Sequence, residues 1–551
     1  MELGDDFGSR SGIDFEIDDE ASWMDRAAGH TNDDSDTDTD DDDDDDSHRR
    51  SALSGNISNC YVDHQGSWPR SYRQSMDMLS GITPPTTSFL RGNSGEPDSP
   101  FSRLFKRPST YENDPSLSKP FIEPPNLSDP ERGGASSQSQ KLSIASSTIL
   151  LTSDADSSTS QCSFGQATLN TINVMCGMGL LSTPYAIQQG GWSSLLLLVI
   201  FGIIACYTGI LLKQCLEISE GLKTYPDIGE AAFGKAGRLG IAIMLYMDLY
   251  ATCVEYIIMM SDNLSSLFPN THTHFAGFDL EAEQVFAILM TLVILPTVWL
   301  RDLSLLSYIS AGGVISSVLL VLCLIWVGSV GQVGFHPGGV FLNFAKLPIT
   351  VGLAGFCYSA HSVFPNIYLS MKKPSQYPFV MISTFAICFV LYFVAAIVGY
   401  LMFGDSVQSQ FTLNMPKQFM VSKVAVWTTV LNPVARYAIT ITPVALCLEE
   451  LLPSAEFKGH IISIIIRTLL VISTLVVALT IPFFGIVMAL IGSFLAMLLA
   501  FILPSLCTLI LLGDKLSKLQ MAACTLIIIT GLVCGVIGTY SAIAGVADEV
   551  A

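Results

Sequence analysis

The stretch NVMCGMGLLSTPYA, residues 173–186, lies inside a run apolar enough to cross a membrane, yet it carries Gly177, Gly179 and Pro184. Glycine and proline weaken a helix, and a bilayer core has no water to satisfy the backbone groups that a weakened helix releases. Irregular backbone at that depth survives only where it is buried in protein or lines a cavity. The stretch therefore predicts an unwound point beside a cavity.

Outward from it, the composition is that of an integral membrane protein. The 551 residues are 50% hydrophobic and 14% charged, and mean hydropathy is +0.47. The net charge of -21 belongs to one end: residues 1–160 hold 31 acids and 13 bases, including DDSDTDTDDDDDDDS. With many Ser and Pro residues and no apolar periodicity, this tail cannot bury enough surface to offset chain entropy and is expected to be disordered. Its first thirty residues lack the apolar core of a signal peptide. No CxxC pair occurs among the thirteen cysteines, most of which fall in apolar runs and read as small buried side chains.

A helix needs about 20 apolar residues to cross a core about 30 Å thick. Eleven runs satisfy this: 164–188, 191–212, 239–264, 284–300, 303–327, 348–371, 378–402, 422–448, 461–481, 486–511 and 519–545. One set of loops between them carries Lys213, Lys223, Lys235, Arg238, Arg301, Lys372, Lys373, Lys458, Lys515 and Lys518; the opposite set has Lys346, Lys417 and Lys423. Short cytosolic loops are the basic ones. The tail is then cytosolic, and residues 546–551 form a short end on the far side.

Span six, LPITVGLAGFCYSAHSVFPNIYLSM, repeats the oddity of span one, with Gly352, Gly355, a polar YSAHS and Pro365. The two spans hold corresponding places in two five-span units, the second inverted relative to the first. Interrupted spans at matched positions of inverted halves point to the midplane binding site of a secondary transporter. At 1.5 Å per residue, Gly177 and Ser359 lie roughly 16 to 20 Å from the start of their spans, close to mid-bilayer. The N-terminal end of a half-helix, with free N–H groups and partial positive charge, suits a carboxylate.

Four segments in order resemble the plant and fungal vacuolar amino acid transporters of the amino acid/auxin permease family: TINVMCGMGLLSTPYAIQQGGW (171–192), YPDIGEAAFGKAGR (225–238), FCYSAHSVFPNIYLSM (356–371) and NPVARYAITITPVALCLEELLP (432–453). The resemblance covers residues 162–545. It implies an all-α fold of eleven spans, a LeuT-like 5+5 inverted repeat plus one extra helix, with amino acid substrates, proton coupling and a vacuolar membrane. Carried over by position, it assigns the substrate's backbone groups to Asn173, Gly177, Met178, Gly179 and Leu180, faced by Tyr358, Ser359 and His361 from span six.

Charges inside spans are costly and functional by default. Asp248, Glu255 and Asp262 are spaced by seven and share one stripe of span three. Arg436 lies deep in span eight, placed to pair with Asp248 or Glu255 or to stand where sodium-coupled relatives hold an ion. Asp248, Glu255 and Arg436 are the candidates for proton coupling, and His361 for a pH switch. Arg467 is expected to snorkel to the interface. Segment 225–238 reads as a connector or as a gate against the inner half of span one.

No cofactor motif, metal-ligand cluster or histidine box appears in the spans, so neither an enzyme nor a nucleic-acid-binding protein is expected. The expected partners are an amino acid, protons, the lipid bilayer and regulatory partners of the tail. The rival reading is an amino-acid-sensing receptor on the same fold that signals through its tail. Residues 1–160 are read as the tail and 161–545 as the membrane domain, and on the carrier reading deletion of residues 1–150 is expected to leave the core transport rate largely intact.

Overall fold

The computed structural model describes Tyr72 and residues 162–550, apart from residues 220, 276–277, 300–311, 332 and 452–459. The acidic run, expected to be disordered, lies outside the described residues, as do Arg301 and Lys458 of the orientation pattern.

Span one is two helices, α1 (Phe164–Met175) and α2 (Met178–Gly190). α3 (Ser194–Leu216) is span two. α4 (Tyr225–Leu267) holds span three, and a short hairpin of β1 (Thr273–Phe275) and β2 (Phe278–Leu280) follows it. Spans four and five are α5 (Ala282–Trp299) and α6 (Gly313–Ser329). Span six is again two helices, α7 (Leu347–Cys357) and α8 (Phe364–Ser370). α9 (Tyr377–Phe403), α10 (Met420–Glu450) and α11 (His460–Thr480) are spans seven, eight and nine. Span ten joins α12 (Phe484–Ile491) through a π-helical stretch, Gly492–Ile502, to α13 (Leu503–Leu512), and α14 (Lys518–Val550) is the last.

Among the described residues, eight helices are long and apolar enough to cross a membrane. Of the other three predicted runs, spans one and six are each divided between two short helices, and span five is described over 17 residues. Both breaks fall where glycine, proline and polar residues interrupt the apolar runs.

Two expectations are corrected here. Segment 225–238, read as a connector or a gate on span one, is helical, the first part of α4: Thr224 caps it, with Asp227 completing a capping box, and Gly234 (φ +70°) bends it into span three. It leans on span ten, the Tyr225 hydroxyl donating to Leu499 O (2.7 Å) in the π-helical stretch, and Arg238 pairs with Asp227 (2.9 Å) and Glu230 (2.8 Å). Arg467 does not snorkel: it is buried, ion-paired with Glu449 (3.2 Å) and donating to Val298 O (3.0 Å). A nearby carboxylate and a free carbonyl satisfy it without the interface.

Spans one, six and ten approach closely at small residues. A Cβ on Gly179 would stand 3.1 Å from the Cys357 Cα, and one on Gly355 would stand 2.8 Å from Gly492 O. Small residues of this kind let helix backbones meet in a membrane.

Candidate substrate site

Where α1 ends, backbone carbonyls lose their helical partners, and donors from three other spans answer them. Arg436 Nη2 donates to Asn173 O (2.8 Å) and also to Asn173 Oδ1. The Tyr392 hydroxyl of span seven donates to Met175 O (2.7 Å), and the Ser317 hydroxyl of span five to Cys176 O (2.7 Å). Gly177, between the two helices, turns the chain (φ −116°, ψ −123°), its N–H donating to Met175 O (2.9 Å). This is the internal satisfaction that unwound backbone requires in a bilayer.

The break in span six is longer, running from Tyr358 to Val363. Tight turns use part of its backbone, Ser359 N–H donating to Phe356 O (3.1 Å) and Ala360 N–H to Tyr358 O (3.1 Å). Tyr392 also donates to Cys357 O (2.9 Å), so one hydroxyl shares its proton between the ends of both first half-helices.

A cavity of about 100 Å³ lies between the breaks, room for several waters. Its polar lining comes from Asn173 and Gly177 of span one, Asp248, Thr252 and Tyr256 of span three, Ser359 and Ser362 of span six, and Arg436 and Thr440 of span eight. Met178 and Cys357 add apolar wall.

Two of these groups are ionisable, one basic and one acidic, and among the described residues neither meets an oppositely charged partner. Arg436 is 8% exposed and bonds neutral partners, Asn173 and Asn432 (3.2 Å). Asp248 is likewise 8% exposed, and among the described residues its carboxylate has no hydrogen bond or ion pair. The two do not form the ion pair considered from sequence, because Asn173 and Asn432 already hold the guanidinium. The cavity thus has a basic wall at Arg436 and an acidic wall at Asp248.

The other sequence candidates lie around this cavity in different ways. Asn173, Gly177, Met178 and Ser359 line it, whereas Gly179 and Leu180 pack inside α2. Tyr358 turns away: its ring stacks on Phe385 (centroids 5.7 Å apart) and lines a separate apolar crevice between spans two and seven. His361 also turns toward span two, with Nε2 2.9 Å from Thr208 Oγ1 and its ring against Phe364. Glu255 does not line the cavity either; it is fully buried, and neither carboxylate oxygen has a hydrogen-bond partner among the described residues. Asp262 accepts from Gln410 Nε2 (2.8 Å).

Sequence reading missed Thr252, Tyr256, Ser362 and Thr440 in the lining, and Tyr392 and Ser317 as supports. Thr252 and Thr440 are each four residues from a singled-out charge, Asp248 and Arg436, and so share a helical face with it. That spacing was the available signal. Among the described residues no group of three metal-ligating side chains occurs.

Two unwound spans meeting at a buried polar cavity, in an apolar helical bundle, define a multi-pass membrane protein with an internal polar cavity. The family described as transmembrane amino acid transporter protein matches residues 160–544. Amino acid transporter AVT1D of Arabidopsis thaliana is 53% identical over 487 residues, 88% of this chain and 87% of that protein. Amino acid transporter AVT1E of the same plant is 53% identical over 489 residues, 88% and 91% of the two chains, and Amino acid transporter AVT1I is 38% identical over 393 residues, 70% and 96%. The chain belongs to the transmembrane amino acid transporter family, a family of transporters and not of enzymes.

Proposed function

We propose that this chain is a secondary active transporter that carries amino acids through the cavity between spans one and six, coupled to protons. The observation that carries the reading is the pair of opposite, mutually unpaired charges on one cavity, Arg436 and Asp248. An amino acid zwitterion answers both walls at once. Its carboxylate meets Arg436 and the positive N-terminal end of α2 at Met178, and its ammonium meets Asp248. A fixed guanidinium beside the substrate also disfavours a bound sodium ion.

Coupling is assigned to the acids of span three. Among the described residues Glu255 has no hydrogen-bond donor and no ion-pair partner at its carboxyl, so it can take or release a proton only as its surroundings change. Asp248, on the same stripe, senses whether the ammonium is present. The vacuolar membrane and a cytosolic tail complete the proposal, supported by the resemblance of the span-one, span-six and span-eight motifs and by the basic loops. Uptake of an amino acid panel into proteoliposomes under an imposed pH gradient, with and without sodium, is the test. Accumulation that needs sodium and ignores the pH gradient would overturn it.

A further inference from the structure

The apolar crevice between spans two and seven has a volume of about 370 Å³ and opens on the outer face of the bundle. Ile203 and Ile382, 65% and 55% exposed, stand at its mouth, where a bilayer would cover them with hydrocarbon. Tyr358, 1% exposed, closes its inner end, with its ring stacked on Phe385. Gly202 gives that ring room: a Cβ there would stand 3.0 Å from the Tyr358 Cζ and 3.1 Å from its hydroxyl oxygen. Gly202 is itself in the lining, so the hydroxyl end of Tyr358 lies at the crevice.

That hydroxyl has no hydrogen-bond partner among the described residues. The other tyrosine of the lining differs, since the Tyr207 hydroxyl bonds Cys524 of the last span. Tyr358 follows the last residue of α7, close to mid-bilayer, where no water is at hand to replace the missing partner. A lipid chain would fill the crevice and leave the hydroxyl unpaired, which is costly for a buried polar group. A molecule that brings an acceptor to that point removes the cost. Tyr358 also begins the break in span six, and Ser359 beside it lines the polar cavity, so the same molecule would touch the break from the lipid side.

We propose that this crevice is a ligand site for an uncharged, mostly hydrocarbon carbonyl compound taken up from the bilayer, whose oxygen accepts from the Tyr358 hydroxyl. A carbonyl suits a lone donor because it accepts and brings no proton of its own to satisfy. Among the described residues no acid, base or histidine lines the crevice, so a charged group would find no partner there. The site does not depend on the transport reading.

The test uses the full chain in liposomes and tritiated para-heptylbenzophenone, an uncharged diaryl ketone that inserts into nearby C–H bonds when illuminated. Labelled peptides should map to spans two and seven around Ile203 and Ile382. Half-saturation should need about fivefold more ketone in Tyr358→Phe, the scale of one neutral hydrogen bond. The matching diphenylmethane, which lacks the oxygen, should compete about fivefold more weakly than unlabelled ketone against wild type and about equally well against Tyr358→Phe. Ala386→Trp fills the crevice from its lipid-facing side and should abolish the label; should that variant fail to fold, the Tyr358→Phe comparison decides alone. Label mapped elsewhere, or label kept in full by folded Ala386→Trp, overturns the site. A diphenylmethane that competes as well as the ketone against wild type overturns the assigned ligand class and leaves a groove for lipid chains only.

Discussion

The breaks in spans one and six look alike in sequence and differ in what they do. In span one the unwound point is a single turn at Gly177, tied by Arg436, Tyr392 and Ser317, and its residues face the cavity. In span six the unwound stretch is longer and splits its polar side chains: Ser359 and Ser362 face the cavity, while Tyr358 and His361 face spans seven and two. Span one supplies a fixed anchor, and span six supplies one wall of the cavity together with outward contacts to the bundle. The fixed member should therefore be the less tolerant of the two.

Arg436→Gln is the hardest strike at the anchor. It removes the cationic wall and the bonds that hold Asn173, and substrate affinity should fall roughly hundredfold, since hydrogen bonds to charged groups are worth about 1.5–3 kcal/mol. Equilibrium binding in detergent measures this, and unchanged affinity would move the carboxylate site elsewhere.

Glu255→Gln comes next. It keeps shape but cannot release a proton, so pH-driven accumulation should vanish while exchange of substrate for substrate persists. Radiolabelled flux in proteoliposomes, first with a pH gradient and then with substrate on both sides, separates the two. Wild-type accumulation would leave Asp248 to carry the coupling.

Tyr392→Phe touches both breaks together, because its hydroxyl is shared between Met175 O and Cys357 O. Two buried carbonyls lose a donor, and stability should drop by about 1–3 kcal/mol. A thermal unfolding midpoint lowered in the empty protein, and largely restored by substrate, is the expected result. No change in the midpoint would deny that span seven ties the breaks.

The smallest effect belongs to His361→Gln. Its ring meets Thr208 and Phe364 and does not line the cavity, so KM should change less than about twofold and the pH profile of uptake should stay put, as for a substitution distant from the site. A displaced profile would return His361 to the proton pathway and erase the contrast between the two breaks.

Much of this was legible from residues alone. GMG in span one and YSAHS in span six located both breaks, because a bilayer gives glycine and polar residues at that depth few other uses. Asp248 and Arg436 announced themselves by the cost of charge inside a span. The facing of Tyr358 and His361 was not legible: unwound backbone has no period, so neighbours of Ser359 can point anywhere. Tyr392 was hidden too, since a tyrosine in an apolar span reads as packing, and nothing local says that its hydroxyl reaches carbonyls of two other spans.

The sequence by itself determined the membrane class, the apolar runs and the place of the breaks, because transfer into lipid is a sum over about 20 neighbouring residues. Only the tertiary structure decided which freed carbonyl meets which donor, and that Arg436 and Asp248 face one cavity unpaired. Those contacts join residues from 141 to 263 positions apart, and their geometry is set by how whole helices pack rather than by any local run.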